Sequence, residues 1–279
     1  MRPISEQTIL ITGATDGLGR AVARELAATG ATLLLHGRAA RRGEQTIKEI
    51  EDRTGNDRLS FYRADFASLA DVRAMAEQVL ADHGELDTLV NNAGIGTFEP
   101  GDGQRVVSDD GYELRFQVNY LAGFLLTRML EQLLIDSAPA RVITVSSLGQ
   151  MPIDFDDVML EHHFSGMRAY CQSKLAQVMF TFDLAEQLAD RGVTANCIHP
   201  ASFMPTKIVL AARGSSSSTL EEGVQGLMHL ISDPTLDDVT GRFYNGLHPS
   251  RPDPQAFDEE ARRRLRELTE GLVGLSKAA

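Results

Sequence analysis

Short apolar runs alternate with longer segments of helical period along most of the chain. Six runs rich in branched residues have the length of β-strands, at residues 8–11, 32–35, 59–62, 88–90, 141–146 and 194–199. After the first run, Leu18, Val22 and Leu26 recur on one helical face before Gly30, where a helix would end. Repeated units of strand, helix and strand predict a parallel sheet with helices on both faces, which is an α/β fold.

The same helical period predicts three further helices. One contains Val72, Met75 and Val79, and a longer one spans residues 112–134. The third is arginine-rich and carries an apolar stripe of Phe257, Ala261, Leu265, Leu268 and Leu272. Its acids come early and its arginines later, which complements the helix dipole. Because acids interleave with the arginines, a solvated helix face is favoured over a phosphate or nucleic-acid patch.

The chain shows no linker that would divide it into two cores. We therefore predict one domain over residues 1–248, with a helical extension over residues 249–279 packed on it. Residues 214–218, one glycine and four serines, predict a mobile surface loop.

Composition excludes several classes of protein. The 279 residues are 43% hydrophobic and 24% charged, as in ordinary globular proteins, and their net charge of -12 argues against a nucleic-acid partner. Two cysteines, Cys171 and Cys197, are too few for a disulfide framework. No apolar run approaches the roughly 18 residues of a membrane span, and the first residues do not resemble a signal peptide. We expect a soluble, cytoplasmic protein.

A glycine-rich turn follows the first predicted strand. Residues 12–19 read TGATDGLG and lead directly into a helix. Glycines permit a tight turn in which backbone N–H groups approach a pyrophosphate at the helix N-terminus. The glycine spacing differs from the usual dinucleotide fingerprint, so the turn alone fits a ligand-free connection equally well.

Tyr170 and Lys174 lie four residues apart, which places them on one face of a helix. A nearby ammonium group favours the phenolate, so the pair predicts a lowered pKa for Tyr170 and acid-base chemistry near neutral pH. The pattern is short, and an ordinary half-exposed tyrosine and lysine is the alternative when it stands alone.

Five motifs occur together in one order over about residues 8 to 206. They are TGATDGLG, then NNAG at residues 91–94, Asn119 in QVNYLA, the pair Ser146 and Ser147, and YCQSK at residues 170–174. In this combination the chain resembles the classical short-chain dehydrogenase/reductase family, and RAYCQSKLAQVMFTFDLA resembles its retinol-dehydrogenase-like branch. The resemblance implies a single doubly wound Rossmann domain with a seven-stranded parallel sheet, its last strand near residues 242–244.

The resemblance also implies roles for four catalytic residues. Tyr170 would exchange a proton with the substrate oxygen, and Ser147 would hydrogen-bond that oxygen. Lys174 would lower the tyrosine pKa and hold the nicotinamide ribose, while Asn119 would support a water that connects Lys174 to solvent. Alternate strand residues point in opposite directions, so Ser146 remains an alternative to Ser147 on residue pattern alone.

A nicotinamide dinucleotide is the cofactor that the resemblance implies. Its predicted binding residues are Thr12, Gly13, Thr15, Asp16, Gly17, Leu18, Gly19, Arg38, Asp65, Phe66, Asn92, Ala93, Gly94, Tyr170, Lys174, Pro200 and Thr206. After Pro200 the sequence departs from the family pattern, because alanine replaces glycine and Thr206 is displaced by one position.

NADP is predicted over NAD because the second strand ends in LLLHGR without an acidic residue. Arg38, with Arg41 or Arg42, could bind a 2′-phosphate; the alternative is that Arg38 only solvates a loop. Asp16 argues in the other direction, since NADP-preferring relatives often carry a basic residue near that position.

We expect an oxidoreductase that interconverts a hydrophobic alcohol and its carbonyl compound, without a metal and without a redox role for Cys171. The predicted pocket is bounded by residues 95–103, 149–166 and 203–218. Its apolar candidates, which could equally be core residues, are Phe98, Met151, Ile153, Phe155 and Phe203. A non-catalytic NADP-sensing interaction protein of the same fold is the alternative function. The resemblance leaves open whether the protein forms homo-oligomers through its long helices.

Overall fold

A computed structural model describes residues 1–275 and confirms the predicted α/β architecture. The sheet has the order β3-β2-β1-β4-β5-β6-β7-β8, and β1 to β7 are parallel. Its strands are β1 Thr8–Ile11, β2 Thr32–Gly37, β3 Leu59–Arg63, β4 Thr88–Asn91, β5 Ala140–Val145, β6 Val193–His199, β7 Arg242–Asn245 and β8 His248–Ser250. The order reverses direction beside β1, as in doubly wound sheets.

The prediction of a seven-stranded, wholly parallel sheet was wrong by one strand. β8 pairs antiparallel with β7, with Phe243 opposite Ser250 and Asn245 opposite His248. Gly246 has a φ of 57°, which lets a two-residue loop reverse the chain. β8 has three residues and contains Pro249, so it lacks the apolar run of a buried strand and can form only at an edge.

Helices cover both faces of the sheet. Within the described residues they are α1 Gly17–Ala28, α2 Ala40–Thr54, α3 Leu69–Asp82, α4 Leu114–Phe116, α5 Ala122–Asp136, α6 Gly166–Gln187, α7 Lys207–Arg213, α8 Leu220–Ser232 and α9 Glu259–Leu272. One core cluster lies between the sheet and α3, α5, α6 and α9, and the other lies between the sheet and α1, α2 and α8. The functional site therefore rests on a sheet that is buried on both sides.

The long helix expected over residues 112–134 is interrupted. α4 is followed by a π-helical segment, Gln117–Leu121, and only then by α5. A π-helical turn contains an extra residue, and such turns recur at functional sites. Here the turn contains Asn119, which is buried beside α6.

The C-terminal extension packs against the helices on one side of the sheet. Ala261 and Leu265 belong to the same core cluster as α5 and α6. Tyr120 and Thr269 share a hydrogen bond of 2.9 Å, and Arg266 holds both carboxylate oxygens of Asp183 at 2.7 and 2.6 Å. The described part of the extension thus shares its core with the rest of the domain.

We expect Leu265→Ala to lower the free energy of unfolding by about 2 to 4 kcal/mol, because Leu265 is 1% exposed and truncation leaves a cavity. Leu268→Ala, at a half-buried position of the same helix, is the matched control and should cost less. Urea unfolding followed by circular dichroism measures both. Equal and small losses of unfolding free energy in the two variants would show that α9 contributes little to the core.

Candidate functional site

The functional motifs meet at the carboxyl ends of the central strands. The glycine turn follows β1, the NNAG turn follows β4, Ser147 follows β5, and Pro200 follows β6. Tyr170 and Lys174 approach from α6. In open α/β sheets this edge, next to the reversal in strand order, is where ligands bind.

The glycine turn and the NNAG turn are hydrogen-bonded into one surface. Thr12 Oγ1 accepts hydrogen bonds from the N–H groups of Asn92 at 2.9 Å and Ala93 at 3.0 Å. Asn92 Nδ2 donates to Thr12 O at 2.7 Å. A Cβ at Gly19 would overlap the Gly13 carbonyl oxygen, so only glycine allows the backbone to come this close. The result is a backbone cradle at the N-terminus of α1, which fits a dinucleotide pyrophosphate.

The two adjacent serines have different partners. Ser146 Oγ donates to the main-chain oxygen of Lys174 at 2.7 Å, so it ties α6 to the end of β5. Ser147 Oγ accepts from Gly149 N at 3.0 Å, which leaves its hydroxyl hydrogen for another partner. The Tyr170 ring lies close by, since a Cβ at Gly149 would be 3.4 Å from Ser147 Oγ and 3.7 Å from Tyr170 Cε1. These contacts favour Ser147 over Ser146 as the serine that faces a substrate.

Lys174 is buried, 5% exposed, between α6 and the end of β5. Its Nζ donates to Val145 O at 3.0 Å and to Gln177 Oε1 at 3.0 Å. Nζ lies 5.6 Å from the centre of the Tyr170 ring. Burial disfavours the ammonium form and lowers the pKa of Lys174 to about 7.

The expected lowering of the Tyr170 pKa is not what the structure shows. Burial raises the pKa of Tyr170, and the neighbouring Ser147 hydroxyl acts in the opposite direction without overcoming it. Helical spacing alone implies a fully charged lysine, whereas burial removes much of that charge near neutral pH. In this environment Tyr170 is a protonated phenol that can donate a proton.

Asn119 supports the turn after β4. Its Oδ1 accepts from Ile95 N at 2.7 Å, and its Nδ2 donates to Ser173 Oγ at 2.9 Å. A Cβ at Gly94 would lie 3.2 Å from Asn119 Oδ1 and 3.7 Å from Lys174 Nζ, so Gly94 leaves room at this point. The main-chain oxygen of Asn119 accepts from Gln177 Nε2 at 2.7 Å.

Of the two predicted cofactor residues after β3, Phe66 directs its side chain into the core, and Asp65 uses one carboxylate oxygen within its own turn. The Phe66 ring is buried in the core and stacks on His36 with ring centres 4.2 Å apart. Asp65 Oδ1 accepts from Ala67 N at 3.0 Å within its own turn. Leu18 is likewise a core residue, so a cofactor contact from Leu18 or Phe66 would come from the main chain.

His36 is a positioning residue that sequence reasoning missed. Its Nδ1 accepts from Gly13 N at 3.2 Å and its Nε2 donates to Ala64 O at 3.1 Å, which joins the glycine turn to the end of β3. Burial lowers the pKa of His36 to about 4 and keeps the ring neutral. The only signal in the sequence was a polar residue inside the apolar run LLLHG.

A cleft of about 270 Å³ lies beside the glycine turn. Its lining residues are Thr15, Asp16, Arg20, Arg42, Gln45, Thr46, Glu49 and Lys207. Arg38 is exposed at the end of β2 and is not part of this lining. Arg42, one of the two arginines expected to assist Arg38, does line the cleft.

Asp16 is paired with two cations. It forms ion pairs with Lys207 and, at 3.7 Å, with Arg42, and it caps α1 by accepting from Gly17 N at 2.9 Å. Although burial acts to raise it, the hydrogen bond from Lys207 keeps the pKa of Asp16 below its ordinary value. Its negative charge, which argued against NADP, is thus largely compensated. Thr206 lies next to the turn, since a Cβ at Gly17 would be 3.5 Å from its methyl group.

The segments expected to border the substrate pocket carry several exposed apolar side chains. Phe98, Met151 and Phe203 are exposed on these segments. Ile153 and Phe155 instead pack against the core, so they are not free to line a pocket. Further exposed apolar residues on the bordering segments are Leu148, Ile208 and Leu210.

Residues 1–275 contain neither a membrane-spanning helix nor a metal-binding cluster. No helix in this part of the chain is long and apolar enough to cross a membrane. Across the same residues, no three His, Cys, Asp or Glu side chains are grouped so that they could hold a metal ion.

Comparison with known proteins finds similarity over nearly the whole chain. The family model described as short chain dehydrogenase matches residues 7–214. Human retinol dehydrogenase 13 is 35% identical over 98% of this chain and 86% of its own length. Human retinol dehydrogenase 14 is 34% identical over 97% of this chain and 87% of its own length.

Solved structures share the fold. A crystal structure of an uncharacterized protein from Mycobacterium paratuberculosis has a TM-score of 0.80 and 27% identity, and it covers 99% of this chain and 97% of that chain. A short chain dehydrogenase from Escherichia coli CFT073, complexed with NADPH, has a TM-score of 0.71 and 26% identity over 87% of this chain and 97% of that chain.

Acid should destabilise the protein through His36. Its pKa is about 4 in the folded protein, against an ordinary value of 6.5, so the unfolded state binds the proton first as the pH falls. Stability is therefore lost between pH 6.5 and pH 4, by about 3 kcal/mol from this group. His36→Gln keeps a donor and an acceptor but cannot titrate. Relative to this variant, the wild type should therefore lose about 3 kcal/mol of unfolding free energy as the pH falls from 6.5 to 4. A constant difference across this range, measured by urea unfolding, would contradict the assignment.

Proposed function

Because the chain belongs to the short-chain dehydrogenase family and is an NAD(P)-dependent oxidoreductase, we propose that it interconverts a hydrophobic alcohol and its aldehyde or ketone, with NADP(H) preferred. The observation that carries the proposal is the convergence of Ser147, Tyr170 and Lys174 beside the two hydrogen-bonded turns. The convergence supports the proposal because the reaction needs a proton donor beside a cradle that fits a dinucleotide.

The residues of the cradle are those that would hold the cofactor, namely the turn at residues 12–19 and the NNAG turn. Lys174 has a hydrogen that neither Val145 nor Gln177 accepts, and it is available to the ribose. The bound nicotinamide supplies or accepts the hydride. The protein itself orients the cofactor and the substrate and supplies the proton.

Tyr170 donates the proton in the direction of carbonyl reduction. Burial keeps its phenol protonated, and Ser147 Oγ, already fixed by Gly149 N, can donate a hydrogen bond to the same substrate oxygen. Because the pKa of Lys174 is about 7, this residue can bind and release a proton at neutral pH and so pass a proton towards Tyr170. In the direction of alcohol oxidation the step runs in reverse, and the phenolate form of Tyr170 accepts the proton from the alcohol.

A hydrophobic substrate is supported by exposed apolar side chains and by the names of similar proteins. Phe98, Met151 and Phe203 present exposed apolar surface on the segments expected to border the substrate pocket. The two similar human proteins described above are named retinol dehydrogenases, and retinol is a hydrophobic alcohol.

NADP(H) is supported by the positive charge near the end of β2. β2 carries no acidic side chain at its end, and Arg38 and Arg42 follow it. Arginine suits a 2′-phosphate because it offers several donors in a planar arrangement. The similar Escherichia coli protein was crystallised with NADPH.

Tyr170→Phe should lower kcat for reduction of a hydrophobic aldehyde by about 10²-fold or more, because it removes the proton donor. NADPH binding, measured by fluorescence titration, should change little. The assay follows NADPH absorbance with a panel of hydrophobic aldehydes and ketones. If wild type and variant bind NADPH alike and neither turns over any compound, the alternative of an NADP-sensing protein is favoured and the enzyme proposal fails.

Arg38→Ala should raise the Kd for NADPH by about tenfold or more and leave the Kd for NADH nearly unchanged, because only NADPH carries the 2′-phosphate. Arg42→Ala tests the neighbouring candidate in the same way. Arg53→Ala, an exposed arginine at the far end of α2, is the matched control. Equal weakening of both cofactors by Arg38→Ala would reject the phosphate role of this residue.

A further inference from the structure

Gln177 connects two residues of the candidate site. Its Oε1 accepts from Lys174 Nζ at 3.0 Å, and its Nε2 donates to Asn119 O at 2.7 Å. Gln177 is buried, 3% exposed, one helical turn from Lys174 on α6. Nothing in the motif pattern singled it out.

The orientation of the Gln177 amide follows from its partners. The main-chain oxygen of Asn119 can only accept, so the NH₂ end of the amide must face it. The amide oxygen is then directed at Lys174 and requires a hydrogen from Nζ. The π-helical segment that contains Asn119 thereby determines which polar atom Lys174 meets.

We propose that Gln177 is a positioning residue for the reaction: its side chain bridges Asn119 and Lys174 and holds the lysine amine in the site. The inference rests on the proposed function, because Lys174 affects turnover only if it serves Tyr170. Val145 O and Gln177 Oε1 fix two directions around Nζ, so the third hydrogen of the ammonium group points to a defined place.

The bridge also favours the charged form of Lys174. An acceptor oxygen stabilises an ammonium group, which opposes the effect of burial. The ionisable groups that face Lys174 are Tyr170 on the same helix and His199 at the end of β6. From β5, Lys174 contacts the uncharged Val145 carbonyl. The π-helical segment is connected to Lys174 by the uncharged Gln177 side chain. His199 is neutral near pH 7, since burial, and then the charge of Lys174, lower its pKa to about 4.

The direct test is a pH titration of Lys174 by NMR. The chain contains four lysines, so a sample labelled with ¹³C at the lysine Cε gives few signals, and Lys174→Met identifies the one from Lys174. Gln177→Met removes both hydrogen bonds at similar size, and the Lys174 pKa should fall by about one pH unit. Gln177→Glu places a carboxylate beside Nζ, and the pKa should rise.

The control is Gln172→Met, which changes a buried glutamine of the same helix whose amide donates to Val158 O instead. It should leave the Lys174 pKa unchanged. If Gln177→Met fails to fold, Gln177→Glu still tests the bridge. Unchanged Lys174 titration in the folded Gln177 variants, or a shift in the same direction for both, would overturn the proposal.

Turnover gives the second readout, with decanal as the aldehyde and NADPH as reductant. In Gln177→Met the alkaline loss of kcat should move to lower pH, and in Gln177→Glu to higher pH, while the KM for decanal changes little. No turnover by the wild type with any aldehyde would reject the proposed function and leave the NMR result standing. Normal titration of Lys174 in the variants, together with wild-type turnover, would reject only the role of Gln177.

Discussion

The site depends on a pair of hydrogen bonds that join α6 to the end of β5. Lys174 Nζ donates to Val145 O, and Ser146 Oγ donates in return to Lys174 O. Together they fix both the side chain and the main chain of one residue to the strand that carries Ser147. Because Tyr170 lies one turn away on α6, the same contacts set its position beside Ser147. Burial makes these bonds strong and also reduces the charge on the lysine.

Local pattern predicted the parts of the structure that local chemistry determines. The strands, the glycine turn and the spacing of Tyr170 and Lys174 follow from periodicity and from backbone freedom, and the order of motifs identified the family. β8 was missed because three residues with a proline carry no strand signal, and it forms only because β7 offers an open edge. The π-helical segment was missed because its apolar period resembles that of an α-helix.

Contacts between residues that lie far apart in the sequence could not be predicted from local sequence pattern. His36 meets Gly13 and Ala64, Lys207 meets Asp16, and Gln177 meets Asn119, yet each pair is separated by many positions in the sequence. The pKa of Tyr170 shows the same limit, since it depends on how much water the fold removes and not on helical spacing. Spacing identified the chemical groups, and the tertiary structure determines their protonation.

The most direct test of the proposed chemistry is a crystal structure of the protein with NADP⁺ and a hydrophobic ketone, which cannot react with the oxidised cofactor. We expect the ketone oxygen to lie within about 2.6 to 3.2 Å of both Tyr170 Oη and Ser147 Oγ. A ketone bound in the cleft with its oxygen away from both hydroxyl groups would contradict the assignment of these two residues.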